Sequence, residues 1–440
     1  MLVLSILFLQ SPYSFLFNEI GKKLKHQGID SYAIAFNFGD KYLYKDIDYL
    51  DIHKKINNMK YSQINSNKLN EILNIDNYYT KKKKKILKEK ITKKEKEYFY
   101  NYVQILEKTI KEKDIKFILM QNDTRWQHSL AIYVAKKLNI DYYVFELGLF
   151  RPNTITIDSN GVNYNNSVPR NKEFYRNISI ENKFDYSKTN SDISEFERNI
   201  IVAKYMIYYR IGEILGKNSL ENKTIRLKDY FSRFYNIYLK KSKKEDNSIQ
   251  LPQNYIFAPF QVVNDSQTLV HSDFNNMIEF AETVIEGVKE YNSNNDDGLS
   301  LVFKEHPMDV GKVNYDDFYE KYKNDDSIIF LKQGNTKRII EKSNLVITIN
   351  STVGIEALEM HKKVICLGRA FYAIEDIAKK SNQVTLANDI EESLNKEIDT
   401  DLIDNFLDYL KYEYQTEGNE YYYNEKQVKK ITDMILEKIS

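Results

Sequence analysis

Two short stretches carry residue types suited to holding a phosphate. The first is Asn350-Ser351-Thr352-Val353-Gly354, which follows the apolar run Leu345 to Ile349 and precedes a helical pattern starting near Gly354. A helix N-terminus leaves backbone N–H groups unpaired and carries partial positive charge, so an anion docks there, and the two hydroxyls add donors. The same residues also read as a plain cap, since Ser and Thr are preferred at that position. The second stretch is Lys304-Glu305-His306-Pro307, at the end of the apolar run Leu299 to Lys304. Pro307 stops the strand, so His306 points into the loop region, where an imidazole donates to a phosphate oxygen. Together the two point to a nucleotide mono- or diphosphate leaving group, which positive groups and helix dipoles stabilise as its charge develops.

Other strand ends offer further chemistry. Gln261 to Gln267 follows the run ending at Pro259; Asp265, Ser266 and Gln267 open the next helix, either as a cap or as contacts to a base or ribose. Phe145-Glu146-Leu147-Gly148-Leu149-Phe150-Arg151-Pro152 places a carboxylate at a strand end with Gly and Arg close by. Glu146 there acts as a base or nucleophile, or else pairs with Arg151 as a structural ion pair. Asp123, Arg125, Asp158, Asn160 and Asn163 are further candidates around it, and Asp40 sits beyond the second strand.

These residues need a scaffold of strands with loops at one end. Val3 to Leu9 reads as a buried central strand, Ser11-Pro12-Tyr13-Ser14 breaks it, and Phe15 to about His26 follows as a helix closed by Gly28. Ser31 to Phe36 completes a βαβ unit, in which loops after the strands carry ligands. Phe117 to Gln121, Trp126 to Leu138 and Tyr142 to Glu146 continue the alternation. A second block runs from Tyr255 to Pro259 through Phe274 to Tyr291, Ile328 to Leu331 and Thr336 to Lys342 to Val364 to Leu367. Such alternation implies parallel sheets with right-handed crossovers. Between the first strands lies a Lys-, Asn- and Tyr-rich segment, about 44–113, containing the run Lys81 to Lys85. It reads as a solvated helical insertion, with a basic face for anionic lipid head groups as the alternative. Residues 171–245 are mostly polar with helical spacing, and Lys240 to Gln253 looks like a linker. The expected division is therefore 1–245, 246–385, and a helical tail 386–440 packing back across both.

Composition narrows the classes. A net charge of +1 argues against a bulk electrostatic binder of nucleic acid. The single cysteine, Cys366, lies in an apolar run and reads as a buried strand residue; it permits no disulfide within one chain and fits a reducing compartment. No Cys/His spacing suits zinc, and no Gly-x-Gly-x-x-Gly, Walker A or Gly-x-Ser-x-Gly pattern occurs. Met1 to Leu9 lacks the basic start and cleavage site of a signal peptide, and no run approaches the roughly 20 apolar residues of a spanning helix, so any membrane contact is expected to be peripheral.

Taken together, the motifs resemble those of bacterial capsule polysaccharide synthesis proteins, the family of retaining β-Kdo transferases that build a lipid-linked capsule anchor. The resemblance lies in Phe8-Leu9-Gln10-Ser11-Pro12, Phe38-Gly39-Asp40, Phe145-Glu146-Leu147-Gly148 with Arg151-Pro152, Ile155-Thr156 and Gly161-Val162-Asn163. It continues in Gln261 with Asp265-Ser266-Gln267, Lys304-Glu305-His306-Pro307, Gln333-Gly334 and Asn350 through Leu358. It implies a glycosyltransferase-B architecture, two Rossmann-like domains facing a central cleft, with CMP-Kdo as donor and no metal or cofactor required. It implies that Lys304, His306, Pro307, Gln333, Asn350, Ser351, Thr352, Gly354, Gln261, Asp265 and Ser266 bind the nucleotide. Glu146, Arg151, Asp123 and Asn163 would serve catalysis, and Ser11, Pro12, Tyr13, Asp40 and Asp158 the acceptor side. Two-module relatives read Glu-Asp-Gly where this chain has Glu146-Leu147-Gly148, which leaves Glu146 as the surviving carboxylate. A single module implies initiation of the linker on a phosphatidylglycerol-type lipid, on the cytoplasmic face of the inner membrane, alongside other capsule synthesis proteins.

Overall fold

A computed structural model describes residues 4–59, 64–181, 183–185, 191–220, 250–296, 298–310 and 313–439. The chain forms two compact units: Met1–Ser167 with Ile180–Asn222 and Leu410–Ser440, and Val168–Ser179 with Lys223–Tyr409. This division differs from the expected one. The tail is shared out, residues up to Tyr409 going to unit two and the rest to unit one, and Val168–Ser179 belongs to unit two. The expected boundary at 245 and most of the linker Lys240 to Gln253 lie outside the described residues.

Unit one is built on strand β1 (Ser5–Leu9), in which every residue is buried. An unbroken apolar run suits a central parallel strand covered on both faces, and β1 pairs in parallel with both β2 (Asp30–Ala35) and β4 (Ile115–Gln121). β3 (Asp48–Asp51) extends one side in parallel and β5 (Asp141–Leu147) the other. β6 (Thr154–Asp158) runs antiparallel to β5 after a tight turn, in which a Cβ at Gly148 would lie 2.3 Å from the Thr154 carbonyl carbon. Parallel strands present their C-terminal ends at one edge, so the loops after β1, β4 and β5 lie together there.

The Lys-rich insertion is less solvated than its composition implies. The helix Lys93–Glu112 opens with a capping box between Thr92 and Glu95 and buries Phe99, Tyr102, Val103, Leu106 and Ile110 in the core of the sheet. Within the run Lys81 to Lys85, Lys83 turns inward: it is 7% exposed, and its ammonium donates to both Glu95 oxygens at 2.7 and 2.9 Å. Burial alone would raise the Glu95 carboxyl; hydrogen bonds from Lys83, Tyr79 and Thr92 outweigh it and bring it down to about 2. Removing one partner of a buried pair strands the other charge. Lys83→Ala is therefore expected to destabilise the fold by about 3 kcal/mol, read from urea unfolding.

Unit two carries a six-stranded sheet in the order β12-β11-β10-β7-β8-β9, parallel at each pairing. Its strands are β7 (Tyr255–Pro259), β8 (Ser300–Lys304), β9 (Ile328–Leu331), β10 (Leu345–Thr348), β11 (Lys363–Cys366) and β12 (Lys379–Lys380). Cys366 is fully buried in β11, as an apolar strand residue should be. The helix Leu386–Asn395 packs against Met277–Asn294 so closely that a Cβ at Gly287 would lie 2.6 Å from Leu386. The tail is not wholly helical. Gln415–Glu417 forms β13, antiparallel to β6 at the edge of the first sheet, before the helix Glu425–Ile439.

Candidate functional site

In unit one the loop after β4 reaches across to the end of β5. Asn122, held at φ 65°, donates from Nδ2 to Glu146 Oε2 at 2.7 Å, while its Oδ1 accepts from the Thr124 N–H at 2.7 Å. The other Glu146 oxygen accepts the Leu147 N–H at 3.1 Å. Glu146 is thus a half-exposed carboxylate with both oxygens oriented, and it forms no ion pair with Arg151, which is exposed and donates to the Gly148 carbonyl at 3.4 Å.

Asp123 lies beside it, 4% exposed. Its Oδ2 accepts from Asn165 Nδ2 at 2.9 Å and from the Val162 N–H at 3.3 Å, while its buried Oδ1 has no partner. Burial pushes this carboxyl up to about 6, and the charge of Glu146 adds to the shift. A Cβ at Gly161 would sit 2.8 Å from Asp123 Oδ2, so this approach needs glycine. Asn163, expected to contribute, instead starts the short turn Asn163–Asn165 at φ 55°, and it is Asn165 that reaches Asp123. His128 supports the same loop: its Nδ1 meets the Asn122 carbonyl at 2.9 Å, and full burial pushes its pKa down to about 3, so the ring stays neutral.

One carboxylate here escaped sequence reasoning. Glu420 follows β13 and is 1% exposed. Its Oε2 accepts from Gln121 Nε2, at the end of β4, at 3.2 Å, and its backbone carbonyl accepts from Ser14 Oγ at 2.7 Å. Burial pushes its carboxyl up to about 7, reinforced by the charge of Glu146 and opposed by Tyr421, Gln121 and Arg125. Unit one therefore gathers three carboxylates, two of which, Asp123 and Glu420, are pushed up toward neutral pH by burial.

Several expected acceptor-side residues are occupied by their own loops. Asp40 Oδ2 accepts the Phe36 and Asn37 N–H groups, and its Oδ1 accepts from Asn37 Nδ2 and the Tyr205 hydroxyl. Asp158 accepts from the Asn160, Gly161 and Ser167 N–H groups and the Ser167 hydroxyl. Both act as turn-formers. Ser11 donates from Oγ to the Ser14 carbonyl at 2.7 Å, Pro12 is buried, and the Tyr13 ring stands edge-on to Tyr205 at 5.0 Å.

In unit two the turns after β7, β8 and β10 carry the phosphate-type residues. Gln261 and Asn350 lock to each other: Gln261 Nε2 donates to Asn350 Oδ1 at 3.0 Å, and the Asn350 N–H returns to Gln261 Oε1 at 3.1 Å. Asn350 Nδ2 also reaches the carbonyls of Gln267, His271 and Arg369. These two side chains hold loop ends in register rather than face outward. Asp265 caps the helix Ser266–Val270, accepting the Gln267 N–H at 3.1 Å and the Ser266 hydroxyl at 3.3 Å. Ser351 Oγ accepts the Val353 N–H at 3.2 Å, whereas Thr352, at the N-cap of Val353–Leu358, is exposed and makes no capping bond. A Cβ at Gly354 would lie 2.4 Å from the Tyr372 hydroxyl, which itself donates to the Ser351 carbonyl. His306 Nδ1 accepts the Met308 N–H at 3.1 Å, placing the neutral ring's proton on Nε2. Pro307 and Gln333 are exposed.

Lys304 differs from all of these. It is 6% exposed, and among the described residues its ammonium forms no close ion pair or hydrogen bond, with the charge of Glu356 acting on it from further away. Burial pushes its pKa down; the charge of Glu356 offsets this only in part. A largely buried cation is favoured by negative charge beside it, so an anion bound here would offset part of the cost of its burial.

Residues 116–421, which include the carboxylates of unit one and the turns of unit two, match the family described as capsule polysaccharide biosynthesis protein. The chain belongs to that family. The chain is 26% identical over 389 residues to the capsule polysaccharide export protein KpsS of Escherichia coli, covering 84% of this chain and 86% of the relative. It is 24% identical over 303 residues to the capsule polysaccharide modification protein LipB of Neisseria meningitidis serogroup B, covering 65% and 70%. Among solved structures, the β-Kdo 2,7 transferase of KpsC from Thermosulfurimonas dismutans matches at 16% identity and TM-score 0.35, over 85% of this chain and 98% of that one. The UDP-GlcNAc 2-epimerase of Methanocaldococcus jannaschii matches at 16% identity and TM-score 0.33, over 99% of each. Family membership agrees with the motifs read from the sequence.

Proposed function

We propose that this protein is a glycosyltransferase that moves Kdo from CMP-Kdo to a phosphatidylglycerol-type lipid, starting a capsule linker at the cytoplasmic surface of the inner membrane with other capsule synthesis proteins. The observation that supports the reading is the largely buried Lys304, close in sequence to His306, where a phosphate would complement its charge. The family supplies the sugar chemistry. In this reading Lys304, His306 and the hydroxyls of Ser351 and Thr352 hold the CMP phosphate. Glu146 attacks the anomeric carbon as the carbon–phosphate oxygen bond breaks, and that electron pair leaves on CMP. The acceptor hydroxyl then displaces Glu146 from the same carbon, passing its proton to a nearby carboxylate, and two displacements retain configuration.

Incubation with CMP-Kdo and short-chain phosphatidylglycerol, read by mass spectrometry, should show the lipid gaining one Kdo. Thermal-shift profiles against CMP, UDP and GDP should single out CMP, since a ligand at about a hundred times its Kd adds about 2.7 kcal/mol to the folded state. His306→Ala should weaken CMP binding about tenfold, the size of one charge-assisted hydrogen bond. Stabilisation by UDP alone would move the protein to another nucleotide sugar. Absence of both nucleotide binding and product would favour a non-catalytic role in capsule export or assembly, export being the word in the name of the relative KpsS.

A further inference from the structure

The helix Glu195–Ile214 of unit one has two apolar faces, of which the described residues cover one. On the covered face, the Tyr205 hydroxyl meets Asn37 Nδ2 at 2.9 Å and Asp40 Oδ1 at 3.2 Å, its ring meets Tyr13, and a Cβ at Gly212 would press to 2.4 Å from Phe38 Cβ. On the other face, Phe196, Ile207, Ile211 and Ile214 are 74%, 59%, 39% and 84% exposed. At helical spacing these four, with Ile200 and Ala203, fall in a stripe about 80° wide and about 27 Å long. A continuous apolar stripe in water marks a surface that binds something.

The rim says what. Lys204 and Arg210 flank the stripe and Lys217 follows its end. The Lys41 and Lys217 ammoniums sit over the Phe38 ring at 4.8 and 5.7 Å, and Lys45 sits over Phe15 at 3.8 Å and Tyr42 at 5.8 Å. Tyr42 in turn stacks on Tyr208 at 5.5 Å. The acidic groups nearby are mostly engaged: Glu213 pairs with Arg210, Asp51 with Lys41, and Asp46 accepts from Asn18. Glu195 and Glu197 stand at the far end, over the helix N-terminus. Aromatic rings under lysines beside an apolar stripe suit the boundary between acyl chains and anionic head groups. A second copy of the same face would instead bring like-charged rims together.

We infer that this helix lies in the surface of an anionic phospholipid bilayer, with Phe196, Ile207, Ile211 and Ile214 buried among the lipids. The inference rests on the lipid-acceptor reading in one respect: the opposite face of the docked helix packs against the loops of Tyr13 and Asp40. Docking itself is measured without transfer.

The full chain should co-sediment with vesicles of equal phosphatidylglycerol and phosphatidylcholine, bind phosphatidylcholine alone far more weakly, and release at high salt. The exposed pair Ile207→Glu/Ile211→Glu should abolish sedimentation while leaving the circular dichroism and the CMP thermal shift unchanged. Lys204→Gln/Lys217→Gln, which spares the apolar stripe, should weaken binding to the anionic vesicles about thirtyfold. Failure of the wild type to bind anionic vesicles, or binding indifferent to both double variants, overturns the inference. So does a dimer seen by light scattering that the Ile207→Glu/Ile211→Glu variant dissolves, since the stripe then belongs to a second copy. A protein that docks but transfers nothing leaves docking standing and removes the transferase reading alone.

Discussion

In the proposed reaction, Glu146→Gln is expected to lower sugar transfer at least about a thousandfold while nucleotide binding persists, the loss typical of removing a nucleophile. The substitution is nearly isosteric. The amide oxygen can keep the Asn122 bond of 2.7 Å or the bond from the Leu147 N–H, but not both, because its second atom is now a donor. The structural cost is one hydrogen bond, about 1 kcal/mol, too little to unfold the β4–β5 edge. Single-turnover assays with CMP-Kdo, set beside the CMP thermal shift, separate chemistry from binding. Transfer at the wild-type rate in Glu146→Gln would remove this carboxylate from the mechanism. Asp123→Asn is the companion variant, since Asp123 holds a buried oxygen without a partner and a carboxyl pushed up to about 6.

The elements that position these groups were largely legible. Trp126–Leu138, Ile328–Leu331 and Thr336–Lys342 fall where apolar spacing and turn residues place them, because a local period reports a local structure. β13 left no such trace. It is three residues long, and its partner Thr156 lies 259 positions away, so neither length nor spacing announces it. Glu420 was hidden with it, one Glu in a stretch otherwise read as helix. Lys83 shows a related effect: a run of five lysines spans more than one helical turn, so they cannot all face solvent, and Lys83 turns toward Glu95 of the helix Lys93–Glu112. Asp40, Asp158, Asp265, Asn350 and Gln261 show a different limit. Side chains able to bind a ligand are also those that cap helices and close loops, and the residue type alone does not say which use is made of it. The burial of Lys304 is of another kind again, since nothing in its local sequence announces it and it becomes visible only once the chain is folded.

Glu420 should make stability and activity respond to pH in opposite directions. Its carboxyl stands at about 7 in the folded protein against an ordinary value of 4.5, through burial first and the charge of Glu146 second. The folded state thus holds this proton more tightly than the unfolded chain. The resulting stability is complete below pH 4.5 and is lost as pH rises through about 7, a loss of about 3 kcal/mol. Glu420→Gln has no proton to lose there. Its stability relative to wild type should therefore grow across that window and level off above it, read by urea unfolding at a series of pH values. Asp123 contributes a loss of the same sign up to about pH 6 in both proteins, and so largely cancels in the comparison. Activity should run the other way. If Glu420 takes the acceptor proton, kcat rises as the carboxylate forms near neutrality, and Glu420→Gln loses that limb while its KM for donor stays put. Because Glu146 holds the Glu420 carboxyl up, Glu146→Gln should shift the stability transition to lower pH. Parallel stability curves for wild type and Glu420→Gln across the window would show that the proton resides elsewhere.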